Sequence, residues 1–200
     1  MIEENSGKIH RFKLDFNLGF CYCIQFDFTD ITKFSGKLIY VYDLISTEST
    51  CSINIEQLTS SSFLFGPKPL LKFPHIKGKG AWEYIGKIDN LIKPRIIFKS
   101  VRDNYTMKDW TKLKGWHKYE DFETVGVDCN YEEIRYLELP VLYGTSEIEI
   151  RSTMHILLLN KKRVNDYYDL EDLHLRNIYI QTVNSSFKLD EANKFLNEIK

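Results

Sequence analysis

Cys21 and Cys23 are the residues whose type and spacing come nearest to chemistry. In an alternating strand a Cys-x-Cys pair sets both thiols on one face, where they could share a metal ion. A structural zinc site needs four ligands. The other cysteines, Cys51 and Cys129, stand alone and supply no second C-x-C or C-x-x-C. Four thiols in a reducing compartment read more simply as small buried hydrophobes. His10, His75, His117, His155 and His174 make neither H-x-x-x-H nor H-E-x-x-H, so helical metal chelation has no support. A cysteine nucleophile needs a base beside it, and here any Cys–His pair would have to be assembled by folding. Gly78-Lys79-Gly80 fits no phosphate-loop pattern and reads as a turn. No catalytic residue, metal ligand or cofactor-binding residue is assigned.

A second constellation is acidic. Glu120, Asp121, Glu123, Asp128, Glu132, Glu133 and Glu138 are interleaved with Phe122, Tyr131 and Tyr136. Carboxylates steer the approach of a basic protein, and aromatic side chains supply anchoring contacts. Glu120, Asp121, Glu123, Asp128, Tyr131, Glu132, Glu133 and Tyr136 are therefore the candidate partner-binding residues. The alternative is an acidic face kept for solubility. A calcium loop is not spelled, because D-x-D-x-D-G is missing. The lysines at 68, 72, 77 and 79 lack regularly interleaved aromatics and read as a solvated loop rather than a phosphate contact. Trp82, Trp110 and Trp116 read as core, with Trp82 covering backbone between Gly80 and Gly86.

The elements that position these residues follow from periodicity. Lys8–Leu14, Phe20–Phe28 and Lys37–Leu44 alternate or run apolar as strands do. Short links, Asn17-Leu18-Gly19 and a break at Ser35-Gly36, suggest an antiparallel meander. The third run is apolar on both faces, which fits an interior strand. Ile53–Leu58 is weakly helical, and Gly66-Pro67-Lys68-Pro69 reads as a loop. Trp82–Ile88 and Arg95–Val101 are further strands. Asp103–Gly115 holds a helical turn anchored by Tyr105, Trp110 and Leu113. Trp116–Val127, Ile134–Leu139 and Arg176–Val183 are strand candidates. Ser146-x-x-Glu149 has capping-box spacing ahead of a stripe of Ile150, Met154, Leu157 and Leu158. Ala192, Phe195, Leu196 and Ile199 mark a last helix from about Asp190.

Gly7-Lys8-Ile9-His10-Arg11-Phe12, the aromatic strand from Phe20 to Phe28, Leu38-Ile39-Tyr40-Val41-Tyr42-Asp43 and Gly80-Ala81-Trp82-Glu83-Tyr84-Ile85-Gly86 occur in this order. In that order they resemble the immunity protein 26 family of bacterial polymorphic toxin systems, over roughly residues 6–90. The sequence departs from that pattern at Lys8, where an acidic residue is usual, and at Cys21 and Cys23, where small residues or glycine are. The resemblance implies a cytoplasmic protein that neutralises a cognate toxin by stoichiometric contact, without catalysis or cofactor. An acidic 120–150 segment would suit a basic toxin surface such as the cleft of a nuclease.

Composition sets the remaining bounds. The 200 residues carry a net charge of −1, which argues against general nucleic-acid binding. Charge is polarised, however: Glu120 to Ile150 hold nine acidic residues and one basic, Arg135. No apolar run nears the roughly 20 residues of a membrane span, and Met-Ile-Glu-Glu-Asn-Ser lacks signal-peptide character. The expectation is one α+β domain over residues 1–200, with a twisted antiparallel sheet or partial barrel, helices packed against it and a C-terminal helix. It would be a cytoplasmic non-enzyme that binds a protein toxin, with no direct nucleic-acid or membrane partner. A non-catalytic β-barrel module for a ligand or protein is the second reading, and a Cys/His hydrolase the third.

Overall fold

The computed structural model describes residues 5–29, 36–48, 54–75, 77–78, 80–89, 91–121, 123 and 125–199. Ser35, Cys51, Ile53, Lys79 and Phe122 lie outside the described residues. The fold is α+β, with five helices and antiparallel sheets of five and three strands among the described residues. No helix among them is long and apolar enough to cross a membrane. The chain divides into two compact units, one from Met1–Arg95 with Val141–Ser152 and one from Ile96–Pro140 with Thr153–Lys200.

The first unit is built on a meander. β1 (Lys8–Lys13), β2 (Phe20–Asp27), β3 (Lys37–Ser46), α1 (Ile55–Thr59), β4 (Phe63–Pro69) and β5 (Glu83–Lys87) follow in chain order. The sheet order is β4-β3-β2-β1-β5, antiparallel throughout. Register sets the faces: His10 pairs with Cys23 and Phe12 with Cys21, while Ile9 pairs with Ile24 and Arg11 with Tyr22. Directly opposed residues share a face, so Lys8, His10, Phe12, Cys21, Cys23 and Gln25 lie on one side. On the other, Tyr40 meets Phe26 at 5.5 Å and Phe63 at 4.8 Å between ring centroids. Both faces are covered, which is why β2 is buried from Cys21 to Asp27 and reads as a continuous apolar run.

The Gly66-Pro67-Lys68-Pro69 segment is not a loop but the end of β4. β4 is an edge strand, where a proline without an N–H breaks no ladder on its open side. The register shifts between Ile39 and Val41, which pair with Lys68 and Phe65, so Gly66 and Pro67 fall in the irregularity. Lys68 is likewise not a solvated loop residue. It is 0% exposed, and its ammonium sits 4.0 Å from the Tyr143 ring centroid.

In the second unit β6 (Ile97–Val101), β7 (Trp116–Glu120) and β8 (Val127–Asp128) form the small sheet in the order β6-β7-β8. A 3-10 turn at Trp110–Lys112 is capped by Asp109, and Trp110 is fully buried. Ile134–Leu139 is not a strand. Its start belongs to α2 (Tyr131–Ile134), and Glu138 alone makes a single parallel bridge, to Phe98. α3 (Thr145–Leu159) runs through Ser152 in the first unit and from Thr153 in the second.

α3 starts at Thr145, ahead of the capping-box serine, and the carboxylate of Glu149 accepts from the Trp82 indole instead. Arg151 to Leu158 are all buried, so over this part the expected helix has no polar stripe. α4 (Leu173–Ser186) contains Arg176–Val183, which is helix and not strand. Asp172 caps it, accepting from His174 and Leu175 amides at 2.8 and 3.0 Å. Ile178 to Ser185 are buried in succession, and a continuously buried segment shows neither the helical nor the strand period. α5 (Leu189–Asn197) follows, with Ala192 and Leu196 buried and the Tyr179 hydroxyl donating to the Phe195 carbonyl at 3.0 Å.

The β1–β2 link rests on Gly19. Its φ is +108°, and an added Cβ would lie 2.5 Å from the Ser46 carbonyl oxygen. At Gly80 φ is +73° but a Cβ would meet open space. Gly19→Ala is expected to cost about 2–3 kcal/mol and Gly80→Ala about 1 kcal/mol. Urea unfolding midpoints of the two variants check this, and equal midpoints would contradict it.

Candidate functional site

The acidic segment occupies one stretch of the second unit, and its residues take different roles. Glu120 closes β7 and pairs with Lys118 at 2.7 Å. Asp121 has φ +46°, and its carboxylate accepts from the Ile96 amide at 3.0 Å, which makes it a structural turn residue. Asp128, at the end of β8, faces His117 at 2.9 Å with its side chain 85% exposed. Glu123, Glu132 and Glu133 are exposed. Glu133 accepts from Asn130 at 3.2 Å, ahead of the first turn of α2.

The two tyrosines differ. Tyr136 is exposed, whereas Tyr131 is a core residue that meets the Trp116 ring at 4.9 Å and donates to the Asn184 carbonyl at 3.0 Å. Glu138 is buried at 2% exposure. Sequence reasoning missed the apolar members of this stretch, Val125 and Val127, which stand exposed among the carboxylates. Their alternation with glycine and acid carries no strand or helix signal long enough to register.

Beneath the segment sits Lys99, 0% exposed. Its ammonium lies 4.7 Å from the Trp110 ring centroid, 5.6 Å from Tyr131 and 5.9 Å from Trp116. It donates to the Arg135 carbonyl and to the Ser185 hydroxyl at 3.1 Å. A desolvated ammonium on aromatic faces with hydrogen-bond partners is a tolerable buried charge. It ties β6 to the C-terminal end of α2, and so fixes where the acidic residues of α2 stand.

Recesses open on the first unit. One, of about 370 Å³, is bounded by Asp15, Phe16, Trp82 and Glu149 among others. Trp82 is 1% exposed, stacks on Phe12 at 4.5 Å and donates to Glu149 at 2.6 Å. It is core as expected, but the glycines are not the reason: Gly80 faces open space, and at Gly86 it is Ile55 that occupies the place of a Cβ. Burial, with the nearby charge of Asp15 adding to it, lifts the Glu149 carboxyl above the usual carboxylate range against the indole hydrogen bond.

Another recess, of about 350 Å³, is lined by Asn5, Lys8, His10, Gln25, Phe73, Pro74 and Tyr84. Here folding does assemble a cysteine and a histidine, since Cys23 pairs directly with His10 across β1 and β2. Their chemistry is not that of a nucleophile and base. Burial pushes the Cys23 thiol far up and the Cys21 thiol up to about 12, so both stay protonated and unreactive at neutral pH. Burial also lowers His10 to about 4. No group of three or more metal-ligating side chains exists among the described residues.

The chain matches no known protein family, no curated protein and no solved structure.

The titration of His10 gives a checkable consequence. The unfolded chain protonates this histidine near pH 6.5, and the folded chain only at about 4. Stability is therefore fully present above pH 6.5 and is lost as pH falls towards about 4. Carboxylates titrate in the same range, so the comparison is with His10→Phe. The urea midpoint of the natural protein is expected to drop more between neutral pH and the acid end of this window than that of the variant. Equal drops would contradict the assignment.

Proposed function

We propose that this protein acts by binding a basic protein partner through the segment from Glu120 to Tyr136. The observation that carries the reading is a mixed surface. Val125, Val127 and Tyr136 are 77%, 60% and 57% exposed, and Glu123, Asp128, Glu132 and Glu133 stand exposed along the same stretch. Exposed apolar side chains interspersed with charge along one stretch have the composition of a protein interface, and the sign of the charge selects a basic partner.

Burial of basic side chains strengthens the bias. Among the described residues five bases, Arg11, Lys68, Lys99, Arg135 and Arg151, are buried against two acids, Asp27 and Glu138. The solvent-facing surface is thus more acidic than the net charge of −1 suggests. The partner class follows from the resemblance to the immunity protein 26 family: a cognate toxin, held stoichiometrically and without chemistry. A nuclease, whose cleft is basic, fits the sign of the surface. Tight inhibition would bury roughly 1,200–2,000 Å² in total, so the acidic stretch would form its charged centre rather than its whole.

The test is co-expression with the product of the neighbouring gene, read by growth rescue and by affinity of the purified complex. Rescue with a one-to-one complex is expected. Glu123→Lys, Glu132→Lys and Glu133→Lys together should weaken it roughly a hundredfold, mostly through association rate and with strong salt dependence. Asp121 is left intact because it holds the Ile96 turn. The control triple Asp166→Lys, Glu171→Lys and Glu191→Lys, at exposed positions elsewhere in the second unit, should leave affinity unchanged. No complex, or equal loss from both triples, would overturn the reading.

A further inference from the structure

The recess of about 350 Å³ on the first unit has a polar floor that the partner-binding reading does not use. Lys8, His10 and Gln25 share the same face of the meander, and the Tyr84 ring stands edge-on to the His10 ring at 5.9 Å. The hydrogen bonds fix the tautomer. Gln25 Nε2 donates to the Asn5 carbonyl at 2.6 Å, which leaves Gln25 Oε1 as an acceptor towards His10 Nε2 at 3.0 Å. His10 Nε2 must then carry the proton, and in a neutral imidazole Nδ1 is left with a lone pair.

That Nδ1 is buried and has no hydrogen-bond partner, on a residue 2% exposed. A buried acceptor left without a donor is destabilising, so it favours whatever supplies one. The recess that His10 lines is walled by Phe73, half-buried, and by Tyr84, 47% exposed. The Lys8 ammonium spends one donor on Asn5 Oδ1 at 3.0 Å, and an ammonium has three.

We propose that this recess binds a small planar aromatic acid bearing a ring N–H or O–H. The ring donor meets His10 Nδ1 once Tyr84 turns, the plane lies between Phe73 and Tyr84, and the carboxylate faces Lys8. Aromatic walls with a few convergent polar groups are the usual composition of a small-molecule site. The site is separate from the acidic stretch, and neither reading depends on the other.

The experiment titrates the full chain with indole-2-carboxylate and 4-hydroxybenzoate, and with benzoate as the acid lacking a ring donor. Binding is followed by calorimetry and by ¹⁵N resonances of labelled histidine. The free protein should show His10 as the Nε2–H tautomer. Both donor-bearing acids should bind at least tenfold tighter than benzoate and shift the His10 Nδ1 resonance. His10→Phe, which keeps a flat ring, should erase the preference over benzoate. Lys8→Met, a half-buried position that leaves the core intact, should weaken all three acids at least fivefold and decides the matter if His10→Phe fails to fold. No binding at millimolar concentration, or binding that leaves Nδ1 unmoved or ignores Lys8→Met, would overturn the proposal.

Discussion

Cations buried on aromatic faces are the constraint on which the rest of this structure depends. Arg11 lies 4.2 Å from the Phe20 ring, Lys68 4.0 Å from Tyr143, Arg151 4.2 Å from Phe65 and Lys99 4.7 Å from Trp110. Stripping water from such a charge costs several kcal/mol, and a desolvated cation–π contact returns about 2 kcal/mol of it. The balance comes from hydrogen bonds and ion pairs, as between Arg11 and Glu83 at 2.6 Å. Each pair is demanding in geometry, so each fixes an element. Lys68 fixes the end of β4 against Tyr143, and Lys99 fixes β6 against α2 and α4.

The same burial shapes the exterior. Bases withdrawn into the interior leave their share of the surface to acids. Around β8 and α2 the carboxylates accompany exposed valine and tyrosine. Apolar side chains there supply contact, and charge supplies direction and speed of approach. Aromatic residues that looked available for this purpose, Tyr131 above all, are committed to holding Lys99 and to the Asn184 carbonyl.

How much of this was legible in the sequence depended on exposure. The meander was readable because β1 to β3 combine alternation with glycine turns, and the α+β class followed from strands early in the chain and helices late. Where a segment is buried on all sides the period vanishes, so Arg176–Val183 read as a strand although it lies in α4. Lys68 read as solvated because hydropathy assigns lysine to water and cannot see the Tyr143 ring, far along the chain, that receives it. Ser146 and Glu149 had the spacing of a cap, but Trp82 competes for the Glu149 carboxylate. The acidic stretch was visible as a run of residue types. Its exposed valines, its buried tyrosine and the structural duty of Asp121 all come from long-range contacts. The His10 recess left no local signal, because strand pairing brings Gln25 and Tyr84 to β1 while Asn5 and Phe73 come from segments outside the strands.

The central claim, that lysines are held inside and leave an acid-biased surface, is tested most directly by native-state amine labelling with site-resolved mass spectrometry. Lys68 and Lys99, both 0% exposed, should remain unmodified in the folded protein while the exposed Lys72, Lys112 and Lys161 react, and all should react in urea. Modification of Lys68 and Lys99 in the folded protein at the rate of the exposed lysines would contradict the account.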